Sequence, residues 1–437
     1  MAKMGEFDIS EFVVKGTNTV TAKVRKWCSG SYLEDQDFFR FNGIFRDVYV
    51  LSRPRGHVKD IKIFTEENVI NIEMDGPSDI SLFDPEGKLL AKEYAFGMAQ
   101  FAVQNPIMWN AEKPYLYELL FEYEGEVISQ KVGFVSYKIG KDNEFLVNGV
   151  EVKLKGVNHH DTHPEKGWTM NDEEIRHDLM LMKKLNINTV RTSHYPQSHT
   201  FVDYLDRDGL CSWLEIPMWQ FHEPSLASEF VRERAKKLYN EMVEQYYNHP
   251  SIIIWGLHNE VETNTKAGYE FTKMAYGYVK EMDNSRLISF ASDRFVHDIS
   301  LEFCDIVALN NYFGWYYGEE SDWEAYIKGF RSSLNERGFG DKPVMMSEFG
   351  VPAMIGISSF EKEKWSMQYQ AEYVERVIKL CAEEECVCGS AVWVLFDFQS
   401  ANDLMKARGF NNKGLMNEYR KPKLAYYKVK ELYKNIK

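Results

Sequence analysis

Two β modules followed by a (β/α)8 barrel is the architecture this sequence predicts, and two features of its patterning carry the prediction. Up to about residue 139, β-branched and aromatic runs are separated by Gly, Asn and Asp turns. From about residue 141, short apolar runs alternate with amphipathic stretches, and eight such strand–helix units follow one another.

In chain order, Phe12-Val13-Val14, Thr19 to Val24 and Asp47-Val48-Tyr49-Val50-Leu51 read as strands of a first module. Arg53-Pro54-Arg55-Gly56 marks a boundary. Ile61-Lys62-Ile63, Val69 to Ile72, Leu116 to Tyr123 and Gln130 to Tyr137 then read as a small sandwich of immunoglobulin type. The barrel strands are expected at Val152 to Val157, Thr189 to Arg191, Ser212 to Ile216, Ser251 to Trp255, Leu287 to Phe290, Asp305 to Leu309, Val344 to Ser347 and Ser390 to Phe396. Between them, Glu173 to Leu185, Phe230 to Tyr247, Gly268 to Met282, Glu324 to Glu336 and Trp365 to Glu384 have helical periodicity. The expected modules are residues 1–53, 54–140 and 141–437. A doubly wound open sheet is the alternative, but no Gly-rich phosphate loop follows the first strand.

Composition narrows the partners. A net charge of −14 argues against a nucleic-acid partner, which needs a basic face. It suits a neutral small substrate, although a local positive pocket remains compatible with it. The 10 Trp, 25 Tyr and 28 Phe fill a large core first, and their faces also suit the C–H side of pyranose rings. Cys28, Cys211, Cys304, Cys381, Cys386 and Cys388 follow no disulfide or zinc spacing and read as buried reduced thiols. Met1-Ala2-Lys3-Met4-Gly5-Glu6 has no apolar signal core, and no stretch approaches the roughly 20 apolar residues of a membrane span. A cytoplasmic protein is expected.

Barrel chemistry collects where strands end. Ile252-Ile253-Ile254-Trp255 leads into Gly256-Leu257-His258-Asn259-Glu260, and Pro343-Val344-Met345-Met346 into Ser347-Glu348-Phe349-Gly350. Each apolar strand thus delivers one carboxylate. Glycoside hydrolysis needs such a pair, one carboxyl protonating the leaving oxygen while the other attacks the anomeric carbon. A spacing of about 5–5.5 Å retains configuration, and a wider one leaves room for water and inverts. A single strand-terminal Glu is more often a helix cap; two, one preceded by Asn259, favour chemistry. The His159, His160, His163 cluster also allows a metal reading, but no carboxylate stands at ligand spacing.

Ile252 to Glu260 and Met346 to Gly350 resemble the acid/base and nucleophile motifs of glycoside hydrolase family 2. Ser31-Tyr32-Leu33-Glu34-Asp35-Gln36-Asp37, Gly43-Ile44-Phe45-Arg46-Asp47-Val48, Gly156-Val157-Asn158-His159-His160, Arg191-Thr192-Ser193-His194-Tyr195-Pro196 and Asn248-His249-Pro250-Ser251 carry the resemblance along nearly the whole chain. It implies a partial sugar-binding-like jelly roll, an immunoglobulin-like sandwich and a catalytic barrel. It further implies a retaining exo-β-glycosidase with Glu260 as acid/base and Glu348 as nucleophile. Asn259 should bond the sugar 2-OH, Tyr312 should donate to the nucleophile, and Arg191 should place positive charge beside it. Glu260, nearer apolar surface, should keep its proton near neutrality. Asp37, His160, His194, Tyr316, Trp393, Asn411 and Lys413 complete the implied substrate-binding set.

The β-galactosidase branch of the family carries a Glu-x-His magnesium site after its third barrel strand. In Glu215-Ile216-Pro217-Met218-Trp219-Gln220-Phe221 the ligand positions read as Trp219 and Phe221, so no metal or cofactor is expected. Family members usually have about a hundred residues before the segment equivalent to Glu6-Phe7-Asp8-Ile9. The first module is therefore expected to be a remnant, from a compact variant or a truncated fragment, whose edges a homo-oligomer covers. Ser31 to Asp37 and Gly167 to Arg191 lean towards β-galactosidases. Phe313-Gly314-Trp315-Tyr316, Ser347-Glu348-Phe349-Gly350 and Asn411-Asn412-Lys413-Gly414 lean towards β-glucuronidases, since Asn-x-Lys can grip a uronate carboxylate. A β-galactoside is the expected substrate. A β-glucuronide or β-galacturonide is the alternative, and an inactive carbohydrate-binding or partner subunit is the alternative of another class.

Overall fold

Each of the eight apolar runs in the second part of the chain is too short for a stable helix and is rich in residues that pack on a pleated surface, and each forms a strand. The computed structural model describes residues 5–39, 41–400 and 406–436. Residues 1–4, most of the Met1 to Glu6 segment considered above, lie outside that range.

Five strands of the second module come first: β1 (Ile61–Glu66), β2 (Val69–Phe83), β3 (Leu89–Ala102), β4 (Tyr117–Tyr123) and β5 (Glu126–Val132). The long β2 breaks register on β3 between Glu73 and Pro77, so its first half pairs with β1 and its second with β4. Ile63, Ile70, Ile72, Ile80, Leu82, Leu119 and Phe121 alternate onto one buried face, as a half-buried antiparallel sheet requires. Strand β3 escaped the sequence reading because its alternation is weak; pairing along β2, rather than local pattern, fixes it.

A short three-stranded sheet, β6 (Tyr137–Ile139), β7 (Phe145–Val147) and β8 (Val150–Glu151), leads into the barrel. The barrel strands are β9 (Leu154–Asn158), β10 (Thr189–Thr192), β11 (Cys211–Glu215), β12 (Ile252–Asn259), β13 (Leu287–Ser292), β14 (Val307–Asn310), β15 (Val344–Phe349) and β16 (Val387–Val392). They pair in parallel and in sequence, and β16 closes on β9. Side chains on the helix side of the barrel, such as Val157, Leu214, Trp255 and Met346, join the largest core. Trp213, Ile254, Ala308, Met345 and Ala391 cluster instead with Tyr137, Phe145 and Val147, which plug the N-terminal end. With that end sealed, the C-terminal end is left for chemistry.

Local signals set the helix ends. Asn171 caps Asp172–Lys184 with a reciprocal bond to Glu174, and Ser366 caps Met367–Glu383. Gly209, at φ 76°, ends His199–Asp208, and a Cβ there would come 2.4 Å from the Ala111 carbonyl oxygen. The expected helix from Glu324 to Glu336 is two helices, Asp322–Lys328 and Phe330–Glu336, meeting at Gly329. Five of the six thiols are buried, but Cys28 is exposed, contrary to expectation.

The first module differs most from its reading. Phe12 to Val14, Thr19 to Val24 and Asp47 to Leu51 form no strands, and Phe12 and Val48 are exposed. Among the described residues no neighbouring strand offers these segments a ladder, and an apolar run without one stays irregular. The stretch between them is anchored instead. Leu33 is fully buried in the barrel's core cluster, Gln36 Nε2 donates to the His194 carbonyl at 2.8 Å, and Arg46 pairs with Asp161 at 2.6 Å. Gln36 and Asp37 thereby reach the cavity at the barrel mouth.

Candidate active site

Glu348 belongs to the last turn of pleat in β15, and Glu260 directly follows β12, so the two carboxylates rise from strands on opposite arcs of the closed barrel. Both line one cavity of about 560 Å³.

Glu348 is held from two sides. Arg191 Nη1 donates to its Oε1 at 2.7 Å, and the Tyr312 hydroxyl to its Oε2 at 2.6 Å. Burial, then the charges of Glu348 and Glu260, push the Tyr312 hydroxyl well above its ordinary range, so it stays a donor. Arg191 is fully buried. Its remaining bonds go to both oxygens of Glu215, at 2.9 and 2.8 Å, to Asn158 Oδ1 at 3.1 Å and to Asn259 Oδ1 at 2.7 Å. Burial opposes the Glu215 charge, yet Arg191 and then His194 hold that carboxyl below its usual range. Glu215 therefore fixes Arg191, and Arg191 fixes the nucleophile-position carboxylate.

Glu260 has the opposite environment. Burial in the cleft, then the charges of Glu348 and Asp293, push it up to about 8, against the pull of two amide donors. Those donors are Gln220 Nε2 on Oε2 at 2.9 Å and Asn310 Nδ2 on Oε1 at 2.8 Å. The direction is the expected one, but the immediate neighbours are amides rather than an apolar wall. Glu260 and Gln220 both sit in the left-handed region, at φ 52° and 54°, which non-glycine residues seldom occupy. Backbone bonds clamp both: Gln220 N–H to the Asn259 carbonyl at 2.9 Å and Glu260 N–H to the Ala291 carbonyl at 2.8 Å. Two carboxyl groups thus share one cavity in unlike surroundings, Glu348 ion-paired to a guanidinium and Glu260 driven towards its neutral form.

Asn259 adjoins the cavity wall through Asn310, and its buried Oδ1 accepts from both Arg191 and Asn310 at 2.7 and 3.1 Å. That fixes the amide's orientation and leaves Nδ2 without a partner among the described residues. Arg191 likewise stands behind the wall, acting through Glu348.

The other sequence-derived residues meet on the cavity's far side. His194 stacks on Trp393, with centroids 5.2 Å apart, and its Nδ1 lies 2.6 Å from Glu215. His160 stacks on Phe38 at 4.5 Å, and burial keeps it well below the usual imidazole range. Asp37 accepts from Lys406 and Ser400 rather than from Lys413. Lys413 is 5 % exposed. It donates to the Tyr316 hydroxyl at 2.7 Å, and burial, then the Lys406 charge, bring it down to about 7. Asn411 Oδ1 accepts from the Lys413 backbone at 3.3 Å.

The residues do not fit the family's magnesium site. Both oxygens of Glu215 accept from Arg191, Trp219 turns an indole to the cavity, and Phe221 packs on the core. Nor do His159, His160 and His163 converge: His159 stacks on Phe201 with Nδ1 on Gln197, whereas His160 faces the cavity. Among the described residues, Asp203, Asp206 and His249 do place ligand atoms within 4.8 Å of one another. That group serves the entrance of β12, where Asp206 accepts from His249 Nδ1 and from the Ser251 backbone.

Sequence reasoning missed Gln36, Gln220, Asp293, Arg294 and Asn310, all in the cavity wall. Asp293 immediately follows β13, so the strand-end rule reaches it once that strand is carried to Ser292. Gln220 has no such signal, because backbone pairing between loops brings it to Glu260.

A parallel barrel whose sealed end is its N-terminal one, with paired carboxylates at the other, defines the class of molecule. The chain belongs to the family 2 glycosyl hydrolases. Its residues 138–437 match the family's TIM barrel domain, residues 2–54 its sugar binding domain and residues 58–134 a further family 2 glycosyl hydrolase model. It is 35 % identical over 311 residues to a β-galactosidase of Staphylococcus xylosus, covering 66 % of this chain and 31 % of that protein. It is 33 % identical over 375 residues to one of Actinobacillus pleuropneumoniae, covering 74 % and 35 %. The chain thus spans about a third of the length of these curated relatives. Among solved structures it resembles the Faecalibacterium prausnitzii β-glucuronidase, with TM-score 0.85, 26 % identity and coverage of 92 % of this chain and 69 % of that one. It also resembles a family 2 β-galacturonidase from Eisenbergiella tayi bound to galacturonate, with TM-score 0.76, 27 % identity and coverage of 87 % and 72 %.

Proposed function

We propose that this chain is a retaining exo-β-glycosidase acting on β-D-galactosides, with Glu348 as nucleophile and Glu260 as acid/base. The observation that carries the proposal is the contrast between the two carboxyls. Glu348, ion-paired to Arg191, attacks the anomeric carbon while Glu260 protonates the departing oxygen; Glu260 then takes the proton of the water that releases the sugar. Retention is what the resemblance to family 2 implies, and capture of a covalent intermediate on Glu348 is its test. Asn259 Nδ2 is the donor for the sugar 2-oxygen, a bond that strengthens as oxocarbenium character develops.

Support for a galactoside comes from the β-galactosidase names of the curated relatives. One observation favours a uronide instead: Lys413 is buried without a carboxylate hydrogen-bond partner among the described residues, and a uronate would supply one. The names of the structural neighbours point the same way. Turnover of nitrophenyl β-galactoside, glucuronide and galacturonide decides between the readings, and turnover of none would favour a non-catalytic subunit. The modules 1–53, 54–140 and 141–437 belong to the same proposal. So does a homo-oligomer covering exposed Phe12, Val48 and Val50, which light scattering would register as a multiple of 51.1 kDa.

A further inference from the structure

Three buried polar side chains that do not line the cavity converge behind one of its walls. Gln370 is fully buried, and Asp397 and Lys423 are 2 and 1 % exposed. They come from distant segments: Gln370 from the first turn of the helix Met367–Glu383, Asp397 from the loop after β16, and Lys423 from the position before the helix Leu424–Asn435.

All three bond to the backbone around Lys413. Lys423 Nζ donates to the Asn412 carbonyl at 2.8 Å and to Asp397 Oδ1 at 2.7 Å. The same Oδ1 accepts from the Gly414 N–H at 2.8 Å. Gln370 Nε2 donates to the carbonyls of Lys413 and Gly414 at 3.3 and 3.1 Å, and to that of Val351 at 3.0 Å. The two peptide groups that flank the Lys413 Cα are therefore both gripped from behind the wall. Each is planar, so holding both also sets the direction in which the Lys413 side chain leaves the backbone. Gly414 permits the grip, because a Cβ there would run into the Asp397 backbone nitrogen and the Met416 carbonyl oxygen. So directed, Lys413 lines the cavity beside Asn411, with its ammonium 2.7 Å from the Tyr316 hydroxyl. Stability alone does not call for this arrangement. A buried ion pair is often no more stabilising than apolar side chains of the same volume, whereas its bonds admit few geometries.

We propose that Gln370, Asp397 and Lys423 are positioning residues for sugar recognition, which fix the backbone on both sides of Lys413 and thereby hold its ammonium where it meets the sugar. The inference rests on the glycosidase reading above and adds to it residues that set how tightly the sugar is held without touching it.

The test separates grip on the sugar from stability. The nitrophenyl glycoside that the wild type turns over best serves as substrate. The sugar it releases serves as competitive inhibitor, and its Ki reports the sugar pocket without the leaving group. In Lys423→Met and in Gln370→Leu, Ki should rise about 3- to 10-fold, the size of one misplaced hydrogen bond, while kcat stays within about threefold. In a Lys413→Ala background the same substitutions should add less than about twofold, because the group they position is gone. Arg286→Met is the control. It breaks the buried Arg286–Asp283 pair just before β13, at the sealed end of the barrel, and should lower the melting temperature without changing Ki. Gln370→Leu leaves no unpaired charge and carries the test if Lys423→Met does not fold; if neither folds, the residues serve stability and the proposal falls. Folded variants with an unchanged Ki overturn it. So does a rise in Ki that is as large in the Lys413→Ala background, or one that Arg286→Met reproduces. A wild type inert towards every nitrophenyl glycoside overturns the glycosidase reading and the positioning role with it.

Discussion

Replacing Lys413 by Ala separates the two sugar readings, because the structure fixes what the ammonium can reach. Its Nζ is buried, bonded at 2.7 Å to the Tyr316 hydroxyl and 5.4 Å from the centre of the Tyr312 ring, whose hydroxyl binds Glu348. If the sugar presents a 6-hydroxyl, the lost bond is worth about 0.5–1.5 kcal/mol, or about 2- to 12-fold in kcat/KM. If it presents a carboxylate, the bond is charge-assisted at both ends and worth about 1.5–3 kcal/mol, or about 12- to 160-fold. A second signature follows from the Lys413 pKa of about 7. The pH dependence of kcat/KM reports the free enzyme. A uronidase would therefore lose activity as the amine deprotonates above pH 7, in addition to the fall above about 8 that Glu260 imposes on any substrate. Dividing the uronide profile by the galactoside profile cancels the Glu260 contribution. The proposal expects the galactoside to be preferred from pH 5 to 9, and Lys413→Ala to cost it about tenfold or less. A wild type that prefers a uronide, through a ratio that declines above pH 7 and collapses in Lys413→Ala, would refute the choice of galactoside.

Other consequences concern the acid/base and its support. Glu260→Gln should abolish the basic limb near pH 8 and leave glycosides with good leaving groups partly active and rescuable by azide; an unchanged pH profile would exclude Glu260 as the acid. Gln220→Ala removes a donor to the charged form of Glu260, so the carboxyl should titrate higher still, moving the basic limb up by no more than about one unit. A limb that moves down would show that Gln220 does not act through that bond. Exhaustive chelation should leave kcat/KM within about twofold, because Arg191 holds Glu215 and neither Trp219 nor Phe221 can ligate; a magnesium-reversible loss would contradict that reading of the third strand end.

Much of the barrel was legible because most strands are short apolar runs ending at a polar residue, and the runs Ser251 to Trp255 and Val344 to Ser347 overlap the strands Ile252–Asn259 and Val344–Phe349. The carboxylates could be found for the same reason: they are where those runs stop. Phe12 to Val14, Thr19 to Val24 and Asp47 to Leu51 were misread as strands because β propensity describes a surface awaiting a partner, and Val48 to Leu51 have none among the described residues. Gln220 and the Lys406–Asp37 pair were invisible for a different reason: each contact joins distant parts of the chain, and no local periodicity encodes it. Lys413 was named from its motif, yet its burial, which decides its charge and hence the substrate, is a property of the folded barrel alone.

The central claim is that Glu348 forms a covalent bond to the anomeric carbon. A 2-deoxy-2-fluoro-β-galactosyl fluoride slows breakdown of that bond more than its formation, so the intermediate should accumulate. Peptide mapping by mass spectrometry should then find one fluorogalactosyl group per chain, on the peptide Val344–Phe349 at Glu348, with inactivation tracking labelling. Glu348→Gln, folded by its melting curve, should take up no label. Label on Glu260 or elsewhere, or turnover in Glu348→Gln at the wild-type rate, would contradict the assignment.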